Sequence, residues 1–182
     1  MANQDHVINL SEVPAVQINA PEDSAFGGSR QRVGAAVGAQ KLGYSFFSVP
    51  SGKAAFPYHT HTTNEEMIYV LEGRGILRLG KEEIAVTAGT IVACPPGTEF
   101  PHQLINSGNQ ELRYLVVSTM EYPDLSEYPD SNKVGAYATA AVGRHVGFRG
   151  LFAKDQQAGY YEGEDGQEIT RILNSKYRQG AE

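Results

Sequence analysis

Residues 42–119 constrain the fold most. They break into eight short β-prone runs, at 42–49, 55–61, 66–71, 75–79, 83–87, 90–93, 101–105 and 112–118, with Gly and Pro punctuating the intervals. Short strands at this spacing point to an antiparallel barrel or sandwich. Gly80-Lys81 and Ser107-Gly108-Asn109 read as hairpin turns. The 20 Gly and 9 Pro residues suit many turns and short strands. With 182 residues the chain has the length of one domain, at most one domain with extensions.

The flanks have a different texture. Residues 1–41 read as an N-terminal arm with one or two strands, Gly-rich towards its end. Residues 120–182 read as a C-terminal extension, loop-rich over 120–164, where Pro123, Pro129 and the cluster Asp130-Ser131-Asn132 favour irregular structure. A short helix should follow: Ile169, Ile172, Leu173 and Tyr177 share one helical face. Asp165 can cap it, with Glu168 three residues on, and Gly180 can stop it. Such a stripe is expected to pack on the barrel or on a second subunit.

Charge narrows the partners. Fifteen Lys and Arg against 21 Asp and Glu give a formal net charge of -6. This argues against nucleic acid and against an anionic membrane surface. The first ten residues lack the basic-then-apolar pattern of a signal peptide, and no apolar run is long enough to span a bilayer. The expected setting is cytoplasmic. The single Cys excludes an intramolecular disulfide and a Cys-rich zinc site.

Chemistry concentrates in the segment from Gly52 to Gly73, GKAAFPYHTHTTNEEMIYVLEG. On a strand, His59 and His61 share one face, about 6.8 Å apart along the chain. Glu66 opens the next apolar strand, and His102 begins a later one. The surrounding strands are apolar, so this face should point into the barrel. An unpartnered polar group there costs roughly 2–7 kcal/mol, and an isolated carboxylate far more. A divalent cation satisfies three imidazoles and one carboxylate together. Imidazole suits Zn, Cu, Fe and Ni, and the carboxylate adds Mn. Glu65 competes with Glu66, because both faces of the following strand are apolar.

The two segments resemble the paired motifs of the cupin superfamily. The first motif appears as Gly52, His59, His61, Glu66 and Gly73, with one extra residue before His59. The second appears as Gly89, Pro95, Gly97, His102 and Asn106, with four residues rather than the usual two between Gly97 and His102, which lengthens a turn. The resemblance covers roughly residues 42–119. It implies an all-β jelly-roll barrel, the cupin double-stranded β-helix, holding one divalent metal (Mn, Fe, Zn or Ni) through His59, His61, Glu66 and His102. The six-residue interval to Gly73 favours Glu66 over Glu65. The segments GAAVGAQKLGYSFFSVPSG, YPDSNKVG and YYEGE further resemble a single-barrel bacterial cupin group, provisionally labelled sugar-phosphate isomerases or of unknown function.

The remaining candidates read as structural. Cys94 suits a buried strand end, His145 a surface or packing role, His6 a terminus, and Asn106 a turn. Tyr44, Phe46, Tyr58 and Tyr114 read first as structural aromatics. Lys53, Arg74, Arg78, Arg113 and Lys133 read as solvated charges unless one lies in a pocket. Three functions are compatible with the motifs. They are a metal-dependent isomerase acting on a small sugar or sugar phosphate, an Fe(II) or Ni(II) dioxygenase, and a metal-anchored binding module without turnover. No base is identified. Two or more Arg or Lys near the metal would favour a phosphorylated or carboxylated ligand. A homodimer is expected.

Overall fold

The computed structural model describes residues 6–141, 144–164 and 166–179. Strand makes up 43% of the chain against 12% helix, which bears out the all-β reading. Among the described residues, thirteen strands form three hydrogen-bonded sheets. The largest runs β1 (Val16–Gln17), β2 (Ser29–Gln31), β3 (Gly43–Val49), β10 (Leu112–Ser118), β5 (Glu66–Glu72) and β8 (Ile91–Cys94), in that spatial order. Beyond β3 its neighbours are not consecutive in the chain. β10 lies antiparallel between β3 and β5, reached from β9 in the opposite layer. A three-stranded sheet of β7 (Glu82–Thr87), β6 (Arg74–Leu79) and β9 (His102–Ile105) faces it.

The two layers close over one apolar core. Phe47 and Val49 of β3, Ile68 and Val70 of β5, and Leu112 and Tyr114 of β10 meet Leu77, Val86 and Leu104 of the smaller sheet. Strict alternation does this. In β5 the buried positions are Ile68 and Val70, while Met67, Tyr69 and Leu71 on the other face are half-buried. Glu66 shares the inward face with Ile68, whereas Glu65 is exposed, so the structure separates the two carboxylates that sequence left competing. Each fully buried aliphatic side chain contributes about 1.5–3 kcal/mol to holding the layers together.

The expected strand at 55–61 is shorter than its apolar run suggests. Only β4 (Thr60–His61) is a strand, with isolated bridges at Ala54 and His59. Pro57 interrupts it, having no N–H to donate. Gly80-Lys81 does turn the β6–β7 hairpin. The turn at 107–109 is not a hairpin, because β9 and β10 belong to different sheets. Asn106, fully buried, holds this crossing. Its amide donates to Val49 O and Gln110 O, both at 2.8 Å, and its Oδ1 accepts from Gly108 N at 2.9 Å.

The loop-rich expectation for 120–164 is corrected. β11 (Asp124–Tyr128), β12 (Lys133–Ala141) and β13 (Arg144–Ala153) form a meander that extends β4 into a four-stranded sheet. The punctuating residues mark its corners. Pro129 opens a single 3-10 turn at Pro129–Ser131, and Asn132 adopts the left-handed conformation at φ 48° that an Asn tolerates. β11 pairs with β4, at Ser126↔His61 and Glu127↔Thr60, and tertiary pairing of this kind leaves no local signature.

The expected C-terminal helix is present, over Gln167–Gln179. Its Ile169, Ile172 and Leu173 are 66%, 42% and 51% exposed, so this part of the stripe is not buried on the barrel of the same chain. Asp165, Gly180 and the side chains of His145 and Tyr177 lie outside the described residues. No helix among those described is long and apolar enough to cross a membrane.

Candidate metal centre

Three strands, β4, β5 and β9, and the His59 segment just before β4 meet at the site. Backbone hydrogen bonds in both directions between His59 and His102, at 3.1 and 2.7 Å, lock their segments side by side. β4 carries His61 next to them, and β5 brings Glu66 across from the opposite layer. One donor atom from each of His59, His61 and Glu66 lies within 4.8 Å of the others. His102 Nε2 lies 3.1 Å from Glu66 Oε2, and His61 Nε2 lies 3.9 Å from Glu66 Oε1. The His59 ring centroid is 4.8 Å from that of His102 and 5.2 Å from that of His61. His59, His61 and Glu66 thus form a possible metal-binding group, and His102 adjoins it through Glu66 and the His59 ring.

The other ring nitrogens are engaged outwards. His59 Nδ1 is 2.8 Å from Pro57 O, and His102 Nδ1 is 3.4 Å from Phe100 O. His61 Nδ1 lies 2.6 Å from Asp124 Oδ2 and 3.1 Å from Ser126 Oγ. For His59 and His61, a proton donated from Nδ1 to an oxygen leaves the Nε2 lone pair of the same ring available to a metal, whereas His102 Nε2 faces Glu66 as a hydrogen-bond donor. This tautomer is assigned from the hydrogen-bond pattern.

Electrostatics point the same way. Burial, reinforced by the neighbouring His102, pulls His59 down to about 4, so the ring is neutral at pH 7. Burial works against ionisation of Glu66, yet the hydrogen bond from His102 and the surrounding imidazoles outweigh it and hold the carboxyl at about 2. A neutral His59 beside an ionised Glu66 presents the protonation states a divalent cation requires of these two side chains. The donor set of nitrogen and oxygen fits Mn, Fe, Zn or Ni.

Asp124 and Ser126 were invisible as site residues, because they fall in the segment read as loop. Both are buried, and their period-two spacing on β11 was the available signal. Asp124 also accepts from Thr63 N at 3.0 Å. Burial raises its carboxyl, but its contacts with His61 and this backbone N–H bring it below the usual carboxylate range.

The centre forms one wall of a cavity of about 370 Å³. Tyr44 and Tyr114 line it, as do Tyr122, Tyr128 and Tyr137, whereas Phe46 and Tyr58 do not. The Tyr58 hydroxyl donates to Gly80 O and its ring lies under Arg78, with the guanidinium carbon 4.0 Å from the centroid. The five cations considered in the sequence also lie elsewhere. Arg78 pairs with Asp130 and Arg113 with Glu72, while Lys53 donates to Ser24 O. Arg74 and Lys133 do not line the cavity. Arg30, Arg32 and Arg149 do. Cys94 is buried in the core, and burial together with Glu66 pushes its thiol up to about 12, which leaves it unreactive.

Residues 45–118 match the model of the cupin domain. A 74-residue stretch, 41% of this chain, is 40% identical to an uncharacterized protein of Methanocaldococcus jannaschii and spans 57% of that protein's length. Two crystal structures share the fold at a TM-score of 0.72. One, from Acidithiobacillus ferrooxidans, is provisionally described as a sugar phosphate isomerase; it is 22% identical, over 86% of this chain and 97% of its own. The other, from Silicibacter pomeroyi, is described as a sugar phosphate isomerase of the cupin superfamily; it is 21% identical, over 86% of this chain and 98% of its own. At these identities the likeness shows the fold.

Proposed function

We propose that this cupin-domain protein is a metal-dependent isomerase of a small sugar or sugar phosphate, with His59, His61, Glu66 and His102 holding one divalent cation. One observation carries the reading. The three imidazoles are each engaged through Nδ1 around a single ionised carboxylate, on the wall of a cavity suited to a small molecule. The descriptions of the two structural neighbours suggest the reaction class. When bound, the cation supplies Lewis acidity towards a hydroxy-carbonyl group.

The chain's own residues supply the surroundings. Phe47, Phe56 and Leu104 line the cavity with apolar surface that limits water. Tyr128 stacks near His59, with ring centroids 6.0 Å apart, and its hydroxyl lies 3.1 Å from that of Tyr137. Burial and the Tyr137 hydrogen bond raise the Tyr128 phenol above its ordinary value. It therefore stays protonated at neutral pH and can donate to a ligand oxygen. Asp124 and Ser126 orient His61.

The test is metal analysis of protein purified without added metal, followed by NMR in D₂O with ribose 5-phosphate, glucose 6-phosphate and glyceraldehyde 3-phosphate. Stoichiometric Mn or Zn and deuterium entering the position next to a carbonyl are the expected results. Iron with oxygen uptake and no deuterium entry would replace the isomerase by a dioxygenase. Metal with neither activity would make the protein a binding module.

A further inference from the structure

Three guanidinium groups share the cavity with the metal centre and have no assigned task. Arg30 sits on β2, Arg32 directly follows Gln31, and Arg149 lies on β13, so the N-terminal arm and the C-terminal sheet deliver them from opposite ends of the chain. None of the three appears in an ion pair among the described residues. Arg30 is half-buried and donates through Nε to Ser45 Oγ at 3.1 Å, and its guanidinium carbon lies 5.5 Å from the Phe47 ring centroid. Arg149 lies 5.4 Å from the Tyr137 ring centroid. Arg32 and Arg149 are exposed, which puts them where the cavity opens.

The cavity's carboxylates do not neutralise them. Glu66 is engaged by His102, and Asp124 by His61 and Thr63 N. The charges also feel one another. Burial first, then the Arg32 charge, brings Arg30 down to about 10; Arg149 adds to the effect, and Glu66 only partly opposes it. Holding three like charges around one opening is unfavourable unless an anion offsets them. Arginine is the residue suited to a phosphoryl group, which accepts several forked N–H donors at once and carries up to two negative charges. Solvent-facing Arg32 and Arg149 leave an entry path for it.

We propose that Arg30, Arg32 and Arg149 form a receptor for the phosphoryl group of a small phosphomonoester, whose other end reaches the wall of His59, His61, Glu66 and His102. The choice of a sugar phosphate over a neutral sugar rests on the reading of the site as one for a small sugar ligand. The arginine receptor itself does not depend on the metal. Recognition is divided: the barrel strands address the reacting end, and the two flanks address the charge.

Calorimetric titration tests this on the full chain, as purified and again after metal removal by chelator and dialysis. Inorganic phosphate and glucose 6-phosphate are the probes, with glucose and malonate as comparators. Both phosphates are expected to bind at one site, and Arg32→Gln and Arg149→Gln each to weaken binding by about tenfold, the worth of one charge-assisted hydrogen bond. Arg113→Gln removes the same charge from a guanidinium paired with Glu72, and should leave binding unchanged. Equal binding of glucose and glucose 6-phosphate would overturn the proposal, as would tighter binding of malonate than of phosphate. So would an Arg113→Gln loss matching that of Arg149→Gln. Phosphate binding that vanishes with the metal would place the anion on the cation instead, and would also overturn it. Phosphate binding that persists in protein found to hold no metal would overturn the isomerase reading and leave the receptor standing.

Discussion

The barrel strands and the C-terminal meander build one cavity by different means. In the barrel, Val49, Val70 and Leu112 are completely buried, and the four clustered side chains stand on segments locked to one another. In the meander, Phe148, Leu151 and Phe152 of β13 remain 56%, 59% and 46% exposed, and β11 is tied to the rest of the site through β4 and the Thr62-Thr63 segment that follows it. The barrel fixes where the centre is. The meander sets Asp124 against His61 and adds Tyr128 and Arg149 to the cavity wall. A perturbation of the first region should therefore be all-or-none, and one of the second graded.

Removing an imidazole from the barrel gives the largest expected effect. His59→Ala should abolish stoichiometric metal, measured by elemental analysis of the purified variant; a variant that retains the wild-type metal content would break the assignment. Leu112→Ala comes next, because it opens a cavity in a fully buried position. It should cost about 2–5 kcal/mol in denaturant unfolding. A loss below 1 kcal/mol would mean that the core is less closely packed than its burial implies.

Asp124→Asn tests the meander's grip on the centre. The carboxylate that orients His61 is lost while shape is kept, and metal affinity should fall about 10–100-fold rather than vanish, read by competition with a chelator. Unchanged affinity would reduce Asp124 to a structural role. Acid provides a milder probe, applied to the protein after metal removal. His59 lies at about 4 in the folded chain against an ordinary 6.5, so the unfolded chain binds its proton first, and stability should fall as pH drops through that interval. Glu66, at about 2 against 4.5, withdraws its contribution in turn as pH falls from 4.5 towards 2. A midpoint of thermal unfolding that rises on acidification from pH 6.5 to 4 would contradict the first sign, and one that rises from pH 4 to 2 the second. The smallest effect belongs to Leu151→Ala on exposed β13, within about 0.5 kcal/mol. A larger loss would reveal a covering partner for that face.

The same contrast governs what was legible in the sequence. Period-two burial and Gly or Pro corners are local properties, so β5, β6, β7 and β10 could be read within a residue or so. The His and Glu spacing survived for the same reason, since each motif lies within one or two neighbouring segments. The meander could not be read, because β12 carries Gly and Ala where a strand would usually advertise itself with Val or Ile. β11 owes its pairing to β4, some sixty residues earlier in the chain. Arg149 reaches the cavity only because β13 is the last strand of that sheet, which no spacing rule reveals. Arg30 and Arg32 offered a weak hint, two arginines one residue apart in a short strand-like run, but their shared cavity is a tertiary fact.

The pairing of β4 with β11 has a practical consequence for where this molecule can be divided. The portion that matches the cupin domain ends at residue 118. A chain trimmed there would keep His59, His61, Glu66 and His102, yet it would strip the backbone of β4 of its partner at Ser126 and Glu127, and His61 of its carboxylate. The unit recognised by similarity is thus smaller than the unit that can hold its own ligands in place. Grafting or minimising this protein should cut after β13, not at the edge of the familiar motif.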